Sequence, residues 1–117
     1  MTLLLLSSDL LVASQVQGAA NRLGKTVKLI STGSQALNYG NGDEVDVLIV
    51  DLSLPSIDLP ALVNQLKSSQ TAATRVVAFG PHVHEQRLAA ARDAGCDLVV
   101  SRGQFFAQLD SILGERQ

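Results

Sequence analysis

Aromatic side chains are nearly absent from this chain, at 3% of its 117 residues against 46% hydrophobic residues in total. Its core must therefore be aliphatic, built from Leu, Val and Ala, and such a composition suits a buried parallel sheet. Cysteine is represented by Cys96 alone, which excludes an internal disulfide. No apolar run approaches the roughly 20 residues needed to span a bilayer. The opening Met1-Thr2-Leu3-Leu4-Leu5-Leu6 lacks a cationic start and breaks at Ser7-Ser8-Asp9, so it reads as a strand and not as a secretory signal. An excess of charge is missing too. The net charge is −2 with the basic residues scattered, which leaves no electrostatic footprint for nucleic acid or an anionic membrane. The expectation is a cytoplasmic protein that binds neither by itself.

What is present is a repeated alternation. The length suits one domain, residues 1–117, with a single core. Leu3 to Leu6 forms a short apolar run, followed by Val12, Val16, Ala19, Ala20 and Leu23 at helical spacing, and Gly24 ends that helix. Thr26 to Ile30 alternates, with Val27 and Leu29 on one face, as an edge strand does. Ser34 to Tyr39 predicts a weak short helix, and Asn41-Gly42-Asp43 a turn into Val45 to Val50, a central strand covered on both faces. After Asp51 comes a loop with Pro55, then a helix capped by Asp58, with Pro60 in its first turn and Leu59, Leu62, Val63 and Leu66 as its buried stripe. Ser68 to Thr74 is a polar connection.

Arg75 to Phe79 predicts a fourth strand and Gly80-Pro81 a break. A fourth helix is expected from about His82 to Ala94, with Gly95 behind it. Asp97 to Val100 predicts a fifth strand, and Phe105, Leu109, Ile112 and Leu113 a last amphipathic helix. Five strands alternating with five helices across short loops demand a doubly wound α/β fold with parallel strands and right-handed crossovers. In such sheets ligands collect outside the carboxyl ends of the strands. The candidate site residues are accordingly Ser7, Ser8, Asp51, Gly80 and Arg102.

Asp51-Leu52-Ser53-Leu54-Pro55-Ser56-Ile57-Asp58, with Asp51 ending a buried third strand, resembles the phosphoacceptor segment of response-regulator receiver domains. Ala94-Gly95-Cys96-Asp97 before the fifth strand, the five βα units and the length strengthen the resemblance. It implies a CheY-like, flavodoxin-like sheet in the order 2-1-3-4-5. It further implies that Asp51 matches the acceptor of a phosphoryl group from a histidine kinase. The family's adjacent acids that help hold Mg²⁺ fall on Ser7 and Ser8. Its switch hydroxyl falls on Gly80, its switch aromatic on Val99, and its Lys-Pro pair on Arg102-Gly103. Asp9 lies where the first helix begins and is expected to cap it.

These departures have physical consequences. Mg²⁺ relies on carboxylates and phosphate oxygens to offset its dehydration, and serine hydroxyls carry no charge. Mg²⁺ binding is therefore expected to be weak or absent, and Asp51 to be a poor acceptor. Arg102 is expected to pair with Asp51, since a guanidinium grips a carboxylate bidentately. Gly80 has no side chain to move and Val99 is stiff at χ1, so the usual reporter of phosphorylation is missing. The Arg102–Gly103 bond is expected to be trans, with a reshaped loop after the fifth strand.

Other features read as structural. His82 and His84 have no third ligand in view and suit surface or capping roles. Cys96 reads as a small packed residue, and Gly33-Ser34 and Gly40-Asn41-Gly42 as turns without a following P-loop lysine. The expectation is a non-enzymatic, phosphorylation-independent module that binds a protein partner in trans, either a histidine kinase or a downstream signalling protein. Family habit places its surface, and any homodimer, on helix 4, strand 5 and helix 5, with Glu85, Gln86, Asp93, Gln104 and Gln108 outward. A functional phosphoacceptor at Asp51 is the alternative, and a small-molecule sensor with a pocket at the strand ends is the second. The chain ends soon after its last helix, so any signal is expected to pass in trans or through a segment outside it.

Overall fold

Four consecutive leucines place the first strand in the interior of the sheet, because a strand apolar on both faces must be covered on both. The computed structural model describes residues 2–36, 45–54, 58–67 and 75–114. Its strands are β1 (Thr2–Leu6), β2 (Thr26–Ile30), β3 (Val45–Asp51), β4 (Arg75–Gly80) and β5 (Leu98–Ser101). Its helices are α1 (Leu10–Arg22), α2 (33–36 of the described residues), α3 (Leu59–Lys67), α4 (Glu85–Asp93), α5 (Arg102–Ala107) and α6 (Leu109–Gly114). The five strands lie in the order β2-β1-β3-β4-β5, and every pairing is parallel. The doubly wound sheet is thus present in the expected order 2-1-3-4-5.

Strand alternation sorts the core into two layers. Leu4, Leu6, Leu48, Val50, Val76, Ala78 and Val99 face one side, against Ala36 of α2, Leu62, Val63 and Leu66 of α3, and Leu88 and Ala91 of α4. Leu3, Leu5, Val47, Ile49, Val77, Phe79 and Val100 face the other, against Val12, Val16, Ala19 and Ala20 of α1 and Phe105, Ile112 and Leu113 of α5 and α6. Val27 packs partly on the second layer, whereas Leu29 at the sheet edge stays exposed.

The helix ends follow local rules. Gly24, at φ 70°, and Gly95, at φ 99°, occupy the left-handed region just beyond α1 and α4. The Lys25 amide donates to Ala20 O and the Gly24 amide to Asn21 O, and Cys96 and Gly95 repeat the pattern on Ala91 and Arg92. These are Schellman closures, which glycine allows without a Cβ clash. The last carbonyls of α6 receive two cations: Lys25 Nζ donates to Leu113 O at 2.8 Å and Arg75 Nη1 to Ile112 O at 3.0 Å. Arg22 and Asp110 form a bidentate pair joining the last turn of α1 to the first of α6, signs that suit both helix dipoles.

Several boundaries differ from the sequence expectation. β1 begins at Thr2, and β3, β4 and β5 each run one residue further, to Asp51, Gly80 and Ser101, so that Gly80 belongs to β4 and not to the break. The fourth helix starts at Glu85, because the His84 amide donates to Pro81 O and closes a turn first. The last helix is two, broken at Gln108, whose φ of −116° and ψ of 20° leave the helical region. Asp97 lies before β5, where its side chain accepts from the Val76 amide at 2.7 Å and its own amide donates to Val76 O at 2.8 Å. The expected turn at Asn41-Gly42-Asp43, the glycine turn beginning at Gly40, Pro55 and the Ser68–Thr74 connection lie outside the described residues.

Candidate functional site

The register decides what stands beside the acid. Leu6 pairs with Val50, so the residues that follow on the two strands, Ser7 and Asp51, meet at the carboxyl end of the sheet. Both are buried, at 2% and 3% exposure. Ser7 Oγ donates to Asp51 Oδ2 at 2.7 Å, and the Ser53 amide donates to Asp51 Oδ1 at 2.9 Å. The Asp9 amide donates to Ser7 Oγ at 3.1 Å, which directs the hydroxyl proton of Ser7 at the carboxylate. A buried charge is tolerated only when hydrogen-bonded, and Asp51 has one donor on each oxygen. Ser8 is exposed and turned outward.

Arg102 does not pair with Asp51. Its Nη2 donates to Asp9 Oδ2 at 2.7 Å, with the two side chains 30% and 37% exposed. Its guanidinium carbon stands 5.5 Å from the centre of the Phe106 ring, within cation–π range. The expected pairing fails because Asp51 is already satisfied below the surface, and reaching it would strip the guanidinium of water. Asp9 sits at the wet rim and offers an oxygen there. It also caps α1 as expected, its Oδ1 accepting from the amides of Leu11 at 2.8 Å and Val12 at 3.4 Å. The Arg102 guanidinium, followed by the Leu11 amide, lowers the pKa of Asp9 below the usual carboxylate value.

No loop intervenes between β5 and α5, so the reshaped loop expected there is replaced by an immediate helix start. Ser101 caps α5 through a capping box, its Oγ accepting from the Gln104 amide while the Gln104 side chain accepts from the Ser101 amide. All peptide bonds described are trans.

Gly80 ends β4 beneath the loop that follows Asp51. The Leu52 amide donates to Phe79 O at 2.8 Å, and a Cβ built on Gly80 would stand 3.2 Å from Leu52 Cβ. Leu52 crowds the space a side chain at position 80 would need, and would have to give by a few tenths of an ångström. Arg87 of α4 fastens the same loop, Nη1 donating to Leu52 O at 2.9 Å. Val99 is 9% exposed and packs in the layer of Leu88 and Ala91.

The remaining candidates lie apart from this network. His82 and His84 are exposed. His84 takes the N-cap position of α4 without a side-chain cap bond. Among the described residues no three His, Cys, Asp or Glu side chains gather in a metal-binding group. Cys96 is half-buried against the layer of α3 and α4. A groove of about 520 Å³ lies between α1 and the α5–α6 break, lined by Gln15, Arg22, Phe106 and Asp110 among others, away from Asp51. A divalent ion at the strand ends would need oxygens that this cleft commits elsewhere. Those of Asp51 accept from Ser7 and Ser53, and those of Asp9 from α1 and Arg102. Ser7 and Ser8 bring no charge, so this donor set does not fit Mg²⁺.

Spacing alone did not reveal Asp9 as the partner of Arg102, 93 residues away, nor Arg87 as the clamp on Leu52. The sequence signal for the first was topological: both residues follow the carboxyl ends of parallel strands, β1 and β5, and so lie on the same edge of the sheet.

A parallel sheet with an acid ending its central strand, flanked by the turn after β1 and the basic residue after β5, defines a receiver-type cleft. The chain matches the model of the response regulator receiver domain over residues 4–113. It belongs to that family, the receivers of two-component signalling. No curated protein matches it. Among solved structures it is similar to a response regulator from Hahella chejuensis, with 16% identity, 99% of this chain and 98% of that chain covered, and a TM-score of 0.82. It is also similar to the receiver domain of the sensor histidine kinase PA1611 from Pseudomonas aeruginosa, at 18% identity, 96% and 93% coverage and a TM-score of 0.79. That relative has a magnesium ion coordinated in its active-site cleft. The chemotaxis response regulator CheY4 of Vibrio cholerae gives 15% identity, 96% and 94% coverage and a TM-score of 0.77. No described helix is long and apolar enough to cross a membrane.

Proposed function

We propose that this receiver domain is a protein-interaction module that works in the cytoplasm without phosphorylation and without catalysis. One observation carries the reading. Asp51 lies buried with a donor on each carboxylate oxygen, Ser7 Oγ and the Ser53 amide, while the neighbouring positions that would bring metal-binding acids are Ser7 and Ser8. Phosphoryl transfer depends on positioning and on neutralising charge as it develops. Here the acid is held as part of the fold. Its hydroxyl and amide donors stabilise the resting carboxylate and so lower its nucleophilicity toward a phosphoryl group.

The absent reporter agrees with this. Leu52 and Gly80 close the space in which a switch hydroxyl would move, and Val99 is packed in the core. The partner surface proposed is α4, β5 and α5, where Glu85, Gln86, Asp93, Gln104 and Gln108 are all exposed. The partner is a histidine kinase or a downstream signalling protein acting in trans, and self-association through the same face belongs to this proposal.

The test is incubation with Mg²⁺ and a small phosphoryl donor, read by intact mass. The expected result is an unmodified chain. A phosphate adduct that disappears in Asp51→Asn would overturn the proposal and establish a phosphoacceptor.

A further inference from the structure

We propose that the guanidinium of Arg102 stands in for a divalent cation, and that the Asp9–Arg102 pair is an autoinhibitory clasp that keeps one out of the cleft. This rests on the reading of the cleft as metal-free, and it names the residue that keeps it so.

Asp9 is joined to the Asp51 network through its own amide, which donates to Ser7 Oγ at 3.1 Å, and its carboxylate is the acid at the wet rim above the buried Asp51. One of its oxygens, Oδ1, is committed to the amides of α1. The other, Oδ2, faces Arg102 at 2.7 Å. No other hydrogen bond to that oxygen is made among the described residues, so Arg102 alone occupies it.

The cation is also held from behind. Phe106 lies under the guanidinium at 5.5 Å and meets Phe105 edge-on at 5.6 Å, and Phe105 stacks on Phe79 at 4.3 Å. Phe79 and Phe105 are fully buried, so the base of this support is fixed in the core. A mobile lysine would move aside for a metal ion; a planar guanidinium resting on a ring and bonded to a carboxylate has less freedom.

Electrostatics set the size of the effect. With Arg102 present, the charges of Asp9 and Asp51 are partly offset and an approaching divalent ion is repelled by a fixed positive group. Removing that charge frees Asp9 Oδ2 and leaves the carboxylates of Asp9 and Asp51 without this offsetting cation. At separations of several ångströms in partly wet surroundings, a unit charge acting on a divalent ion changes its affinity on the order of tenfold.

The experiment compares the wild-type chain, Arg102→Gln and the double variant Arg102→Gln with Asp9→Asn. Magnesium binding is measured by calorimetry, and the site is located by paramagnetic broadening of amide resonances with Mn²⁺. Asn still caps α1, and dispersed amide spectra establish that each variant is folded. Arg102→Gln is expected to bind Mg²⁺ about tenfold more tightly than wild type, with broadening centred on Ser7, Ser8 and Asp9, and the double variant to lose that gain. Equal affinity in wild type and Arg102→Gln, or retention of the gain without the Asp9 carboxylate, overturns the clasp. A phosphate adduct on the wild-type chain would sink the proposed function and leave this comparison intact, so the two ideas fail separately.

Discussion

Ser7 donates its hydroxyl proton to Asp51 across 2.7 Å, and both residues are buried at the carboxyl end of adjacent strands. Removing the hydroxyl leaves a buried carboxylate oxygen without its donor. Loss of such a partner costs about 1–3 kcal/mol, because desolvation of the orphaned group is no longer offset. Ser7→Ala is therefore expected to lower the unfolding free energy by that amount at neutral pH, measured by denaturant titration. Ser8→Ala, at an exposed neighbour, is expected to change it little. Equal effects at the two positions would show that the hydroxyl contributes nothing specific to Asp51.

Asp9 gives a pH dependence with a definite sign. Its pKa is lowered in the folded protein, chiefly by Arg102 and then by the Leu11 amide. A carboxylate depressed on folding contributes stability above its unfolded value, about 3.9, and loses it as pH falls through the folded value. Asp9→Asn keeps a capping side chain but removes the charge. Unfolding by urea at a series of pH values is expected to find the variant less stable than wild type at pH 7. The two curves should converge below pH 4. A constant gap down to the acid limb would assign the loss to the cap and not to Arg102.

The fold was legible because its interior strands are largely apolar. Leu3–Leu6 and Val47–Val50 have no polar face and can only be interior strands of a covered sheet. Gly24 and Gly95 marked helix ends through a backbone requirement that side chains do not obscure. The site was legible in position only. Strand ends located Ser7, Asp51, Gly80 and Arg102, but charge counting joined Arg102 to the wrong acid. Asp9 was read by its local role as a cap, and its second oxygen, turned toward α5, left no trace in local sequence. The break at Gln108 was missed for a related reason. Phe105, Leu109, Ile112 and Leu113 keep their helical spacing across it, so periodicity reported one helix where the backbone makes two.

Gly80 tests whether the switch position can be refilled. A Cβ there would stand 3.2 Å from Leu52 Cβ, so the loop after Asp51 must give by a few tenths of an ångström. Overpacking of this kind costs about 1–3 kcal/mol, and Gly80→Ser is expected to fall in that range. Because the crowding atom is Leu52 Cβ, which alanine would keep, the penalty should shrink when measured in the background of Leu52→Gly. A double-mutant cycle on denaturant midpoints gives the coupling. Additive effects would mean that the glycine serves something other than room for Leu52.

Phe105 carries the strongest packing prediction. It is fully buried, stacks on Phe79 with the planes 9° apart, and begins the apolar stripe that holds α5 and α6 to the sheet. Phe105→Ala is expected to cost about 3–5 kcal/mol. Domains of this size have about 5–15 kcal/mol in total and lose about 4–8 °C of melting temperature per kcal/mol, so the variant should melt tens of degrees early. Phe106→Ala removes a ring of the same size from a half-buried position beside Arg102. It should cost much less, since part of that ring already faces water. Scanning calorimetry on the pair decides the point: equal losses would mean that the Phe79–Phe105 stack is not what anchors α5, and that the clasp at the rim holds the helix instead.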